Sequence, residues 1–68
     1  MQADKLVHMA NQIARAFAVE GEAKAVVATA DHLKLFWDPR MRREILAHLD
    51  AGGDGLDPVT RSALERLS

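Results

Sequence analysis

The 68-residue sequence contains no cysteine and no tyrosine, and beside three histidines its only aromatic side chains are one tryptophan and two phenylalanines. Without cysteine, the chain has neither disulfide bonds nor thiolate ligands for zinc or iron–sulfur clusters, which fits a reducing compartment. No apolar run approaches the roughly 20 residues that a membrane-spanning helix requires. Nine basic and ten acidic residues give a formal net charge of −1. This charge favours neither nucleic acid nor a membrane surface as a partner.

The length predicts a single domain over residues 1–68. A chain this short buries a modest core and is marginally stable unless it assembles with something larger. Residues 1–5 lack a basic stretch followed by an apolar one, so no secretion signal is predicted and a cytoplasmic location is expected.

Alanine and leucine dominate and β-branched alternation is absent, so the pattern predicts an all-α fold, a small compact bundle of three to four short helices. Two Asp-Pro pairs, Asp38-Pro39 and Asp57-Pro58, are typical of helix starts because aspartate caps and proline suits the first turn. Four glycines mark helix ends and a hinge over residues 52–55. The predicted helices lie at about residues 4–19, 22–37, 39–51 and 58–67. Whether the last one packs on the body or swings on its glycines is left open.

The second predicted helix is apolar on two faces. At about 100° per residue, its main stripe contains Ala23, Val26, Val27, Ala30, Leu33 and Trp37. A second stripe contains Ala25, Ala28, Thr29, His32, Leu35 and Phe36. Such a helix needs cover on both faces, either from its companions or from a partner. The predicted core comprises Leu6, Met9, Ile13, Phe17, Val26, Val27, Ala30, Leu33, Trp37, Met41, Ile45 and Leu49.

The aromatic corner at the end of this helix is the strongest candidate for a partner-binding site, because aromatic side chains are enriched at interface hot spots. Trp37 lies on the main stripe, so its bulk is expected mainly in the core, whereas Phe36 and Leu35 are predicted as anchors. His32, Arg40 and Asn11 are expected to make the polar contacts that orient the partner. The predicted partner-binding residues are His32, Leu35, Phe36, Trp37, Arg40 and Asn11.

No residue pattern predicts catalysis, cofactor binding or a metal site in this chain. A faint likeness to a calcium loop at residues 50–57 fails because Gly52 replaces a ligand and Arg61 stands where the closing glutamate belongs. His8, His32 and His48 fall on three different predicted helices. No nucleophile set or phosphate-binding glycine loop is evident.

Three blocks of the sequence resemble a known family. Their sequences are KLVHMANQIA at residues 5–14, ADHLKLFWDPRM at residues 30–41 and GLDPV at residues 55–59. They look like the delta subunit of the cytoplasmic, molybdenum-containing, NAD-dependent formate dehydrogenases, and the middle block is the specific one.

The resemblance implies an accessory subunit, without cofactors of its own, that aids assembly or stability of the complex. In that complex, a large subunit carries molybdopterin and iron–sulfur clusters, and other subunits carry flavin and further clusters for NAD reduction. The large molybdopterin-binding subunit is the expected partner, and no nucleic acid or membrane is expected.

Two alternatives remain open at this stage. An exposed apolar stripe favours self-association, most simply as a homodimer of the isolated chain. A small helix-turn-helix DNA-binding regulator is the less favoured alternative, since Arg40, Arg42 and Arg43 follow the corner but Glu44 interrupts the basic run.

Overall fold

The computed structural model describes residues 2–68, and Met1, where the predicted domain begins, lies outside them. The described chain forms four α-helices and no strand, which confirms the all-α prediction. The helices are α1 (Ala3–Phe17), α2 (Glu22–Phe36), α3 (Pro39–Asp50) and α4 (Pro58–Leu67). The first helix stops two residues earlier than predicted, because the chain tightens into a 3₁₀ turn at Ala18–Glu20 before Gly21.

The junction between α2 and α3 is built from its local sequence. Trp37 leaves the helical conformation, and Asp38 is extended, as a residue before proline prefers to be. The Asp38 carboxylate accepts a hydrogen bond of 2.9 Å from the backbone N–H of Met41. With Pro39 in the first turn, this cap fixes the start of α3 as predicted.

The core lies between α1, α2 and α4 and is closed by α3. Helix α2 is central, since it packs most extensively on α4 and next on α1. Helix α4 is therefore part of the body, which answers the question that the glycine hinge left open. The largest apolar side chains with no exposure are Leu6, Leu33, Ile45 and Leu64.

The buried faces of α1 and α2 differ from the predicted ones. On α2, Val27 is 39% exposed, whereas Ala25 and Thr29, from the stripe predicted as the second face, have no exposed surface. On α1, Val7 and Ala14 are buried beside Leu6. Helix α4 packs on α2, and the segment before α4 is bonded to Asn11 of α1. The periodicity of a single helix carries no information about such contacts.

Candidate functional site

An apolar surface remains exposed at the end of α2. In its last turn, Leu35 is 75% exposed and Phe36 is 72% exposed. His32 lies one turn earlier and is half-buried, as is Phe17 at the end of α1. We call Phe17, His32, Leu35 and Phe36 the docking surface. Contiguous apolar side chains of this size on a small chain are typical of an interaction site.

The rings of the docking surface form a row that spans two helices. The Phe17 and His32 rings meet edge to face, with centroids 6.2 Å apart, and the His32 and Phe36 rings lie 4.7 Å apart. The His32 ring therefore lies between the Phe17 ring of α1 and the exposed Phe36 ring at the end of α2. Val19, in the neighbouring 3₁₀ turn, is 90% exposed. The row gives Phe36 a defined position although most of its surface faces outward.

The structure places the other predicted contacts elsewhere. Trp37 is only 6% exposed and belongs to the core cluster with Leu33 and Ile45. Arg40 is exposed on α3, where its Nε lies 3.6 Å from a carboxylate oxygen of Glu44. Of the six predicted residues, His32, Leu35 and Phe36 form one surface, and Phe17 joins them although it was predicted as core.

Asn11 does not fit the predicted role of a partner contact. It is 6% exposed, and both ends of its amide are used within the chain. Its Nδ2 donates to the Gly55 carbonyl at 2.9 Å, and its Oδ1 accepts from the Asp57 N–H at 3.0 Å. Asn11 therefore holds the segment before α4 against α1 and is unavailable to a partner.

The hinge predicted before α4 is fastened by side chains from two helices, α1 and α3. Besides Asn11, the Arg15 Nε on α1 lies 3.0 Å from the Asp57 carboxylate, and the His48 ring on α3 lies 2.7 Å from the Asp54 carbonyl. The Asp57 side chain makes no capping bond to α4 although the residue occupies the N-cap position. The Asp57 carboxylate, which the sequence predicts as a helix cap, therefore pairs with Arg15 of α1 instead.

Two arginines close helix ends, and sequence analysis missed both roles. Arg42 donates from Nη1 to the Lys34 carbonyl at 3.1 Å and to the Trp37 carbonyl at the end of α2. Arg61 donates from Nη2 to the Gly52 and Gly53 carbonyls after α3, at 3.0 and 3.1 Å. The sequence offers only a weak signal, an arginine that follows a predicted helix end by five residues for Arg42 and by ten for Arg61.

Gly53 shows why the hinge needs glycine. Its φ is +67°, and a Cβ there would lie 2.7 Å from the Arg61 guanidinium. The bare Cα lets the guanidinium approach the backbone and reach its two carbonyls.

Within residues 2–68, no three histidine or acidic side chains are grouped so that they would hold a metal ion. None of the helices in this part of the chain combines the length and the apolar content that crossing a bilayer requires.

A family model described as NADH-dependant formate dehydrogenase delta subunit FdsD matches residues 5–64. The chain belongs to this family. The match covers all three blocks on which the resemblance rests, so the predicted family is confirmed. It also extends over the docking surface and the fastened hinge. No curated protein and no solved structure matches the chain significantly.

Proposed function

We propose that this FdsD-family chain is a non-catalytic accessory subunit of a cytoplasmic, NAD-dependent formate dehydrogenase. It would aid assembly or stability of the complex by docking on the large molybdopterin-binding subunit. The family supports membership in such an enzyme. The observation that carries the docking role is the exposure of Leu35 and Phe36 in a chain that buries its other large aliphatic and aromatic side chains better, Val19 apart.

The energetics favour burial of this surface by a partner. Moving an exposed leucine or phenylalanine side chain out of water contributes about 1.5–3 kcal/mol. Leu35 and Phe36 supply two such side chains side by side, and Phe17 extends the area through its contact with the His32 ring. The ring row holds Phe36 in place before binding, which reduces the ordering cost of association. Leu35 and Phe36 therefore serve as anchors.

Polar groups around the anchors orient the partner. The His32 ring is packed between Phe17 and Phe36, and its nitrogens form no hydrogen bond within residues 2–68. They offer a directional contact at the centre of an apolar surface. Arg40, exposed at the start of α3, provides a cation at the corner. Trp37 acts from inside, because its burial anchors the end of α2 in the core.

Chemistry in the complex would belong to the other subunits. Molybdopterin, iron–sulfur clusters, flavin and NAD are the cofactors expected there, and none is assigned to this chain. This division of labour agrees with a sequence that contains no cysteine to ligate a cluster.

The decisive test replaces Leu35 and Phe36 together by serine and measures co-purification with the large subunit. Both side chains face solvent, so helicity by circular dichroism should stay unchanged while co-purification is lost. A matched control places serine at Arg43 and Ala47, two exposed positions of α3. Normal co-purification of the Leu35→Ser/Phe36→Ser variant would remove the docking role of this surface.

The same surface supports a second candidate, a homodimer of the isolated chain. Two copies would bury their apolar side chains against each other across a twofold axis, the commonest arrangement for a self-complementary surface. Sedimentation of the lone chain, with and without the large subunit, separates the two cases. Docking predicts that the large subunit displaces any dimer, and a dimer that persists in its presence supports the self-associating module instead.

A further inference from the structure

A second surface lies on the other flank of α2, where α2, α3 and α4 enclose a groove of about 400 Å³. Its charged lining comprises Asp31 and Lys34 of α2, Arg42 of α3 and Arg66 of α4. Three cations against one carboxylate leave a net charge of +2 in a chain whose overall charge is −1. We call this feature the basic groove.

The cations of the basic groove are not neutralised from within. Among residues 2–68, no ion pair involves Lys34, Arg42 or Arg66. Arg42 is also held in place, because its Nη1 bonds to the carbonyls that end α2. A guanidinium fixed in this way binds a carboxylate with less loss of side-chain freedom than a mobile one.

The remaining lining is apolar. Leu46 and Leu67 are half-buried and present aliphatic surface to the same groove. Cations beside aliphatic side chains suit an occupant that carries both a carboxylate and an aliphatic group, since each finds its own partner.

We propose that the basic groove binds a segment of the partner polypeptide in which acidic and aliphatic residues alternate. The partner is the large subunit of the proposed function, on which this step rests. The groove and the docking surface adjoin along the chain: Asp31 and Lys34 line the groove, while His32 and Leu35 belong to the docking surface. A single partner that covers the exposed side of α2 would therefore contact both.

A compact inorganic anion is a poorer occupant than such a segment. Lys34 and Arg66 stand in the last turns of α2 and α4, where a helix has no free N–H groups to bind the oxygens of a phosphate. A bare phosphate would also gain nothing from Leu46 and Leu67. An acidic-aliphatic peptide uses both halves of the lining.

The test titrates the ¹⁵N-labelled chain with an acetylated, amidated Glu-Leu-Glu-Leu-Glu peptide and follows the backbone amide signals by NMR. Shifts are expected at Lys34, Arg42, Leu46 and Leu67, and they should weaken as salt rises. The matched Gln-Leu-Gln-Leu-Gln peptide should produce none of comparable size. Inorganic phosphate should produce none either.

Charge variants locate the binding. Lys34→Glu/Arg66→Glu should raise the Kd of the acidic peptide at least about tenfold, which corresponds to about 1.4 kcal/mol. Lys24→Glu/Arg43→Glu makes the same charge change at two exposed cations outside the groove lining and should leave the Kd within about twofold. If the reversal unfolds the chain, Lys34→Gln/Arg66→Gln neutralises the same cations and should still weaken binding.

Three results would overturn the proposal. They are the absence of shifts at millimolar acidic peptide, equal shifts with the glutamine peptide, and equal shifts with phosphate. The test is independent of the large subunit. If the peptide binds but the large subunit does not co-purify, peptide binding by the basic groove stands and the proposed function fails. If the large subunit co-purifies but the peptide does not bind, the proposed function stands and the groove proposal fails.

Discussion

At the scale of single residues, Asn11 and Phe36 share one predicted role but occupy opposite environments in the structure. Both were expected at a partner interface, yet the Asn11 amide is buried and bonded to the segment before α4, whereas Phe36 faces solvent. The sequence does not tell whether a polar residue on a helix faces solvent or the interior, because that depends on whether the folded chain supplies a hydrogen-bond partner for its amide. The exposure of the Phe36 ring is what its predicted role as an anchor requires, and that role stays a prediction.

Replacing Asn11 by alanine should destabilise the fold. The change removes two hydrogen bonds and leaves the Asp57 N–H without its acceptor, at a cost of about 1–3 kcal/mol. Chemical denaturation monitored by circular dichroism measures this free energy of unfolding. Gln12→Ala, at the exposed neighbouring position, serves as the control and should change it by less than about 0.5 kcal/mol. Equal effects at the two positions would contradict the role assigned to Asn11.

At the scale of the helices, the two Asp-Pro starts look alike in sequence and differ in the structure. The Asp38 carboxylate caps α3 through the Met41 N–H, while the Asp57 carboxylate pairs with Arg15 of α1. The first interaction is local and the second joins residues 42 positions apart. Local sequence therefore predicts both helix starts, and only packing decides what each carboxylate binds.

This difference predicts distinct responses to salt. Asp38→Ala should lower the free energy of unfolding by about 1 kcal/mol, since it removes an N-cap. The pair formed by Arg15 and Asp57 is largely exposed, so Asp57→Ala should cost at most about 1 kcal/mol, and the cost should fall in high salt. Denaturation at low and at high sodium chloride concentration measures both losses. A salt-independent loss for Asp57→Ala would contradict the assigned ion pair.

At the scale of the whole molecule, α4 completes the core that α1 to α3 leave open. The Leu64 side chain has no exposed surface, and α4 packs on α2 more extensively than any other pair of helices does. Chains of this size are stable by roughly 3–10 kcal/mol in total, at about 0.05–0.15 kcal/mol per residue. The burial of Leu64 alone is therefore a large part of the net free energy of unfolding.

Leu64→Ala should accordingly cost about 2–5 kcal/mol and bring the isolated chain close to unfolding. Thermal denaturation followed by circular dichroism measures the loss, and addition of the large subunit should restore part of it by mass action. Leu35→Ala, at a position 75% exposed, is the matched control and should leave the melting temperature nearly unchanged. If α4 were mobile, Leu64→Ala and Leu35→Ala would change the melting temperature equally, and this result would contradict the role assigned to α4.

The sequence by itself determined the helical class and the start of α3, and it predicted that Leu35 and Phe36 lie outside the core, as the structure shows. The helical class and the helix start follow from periodicity and capping residues, which act within a few positions along the chain, whereas the family follows from the likeness of whole sequence blocks. The tertiary structure decided which face of α1 and α2 is buried, how the hinge is fastened, and that three cations meet in one groove. Those outcomes depend on contacts between distant residues, such as Asn11 with Asp57, and the pattern within one helix does not encode them.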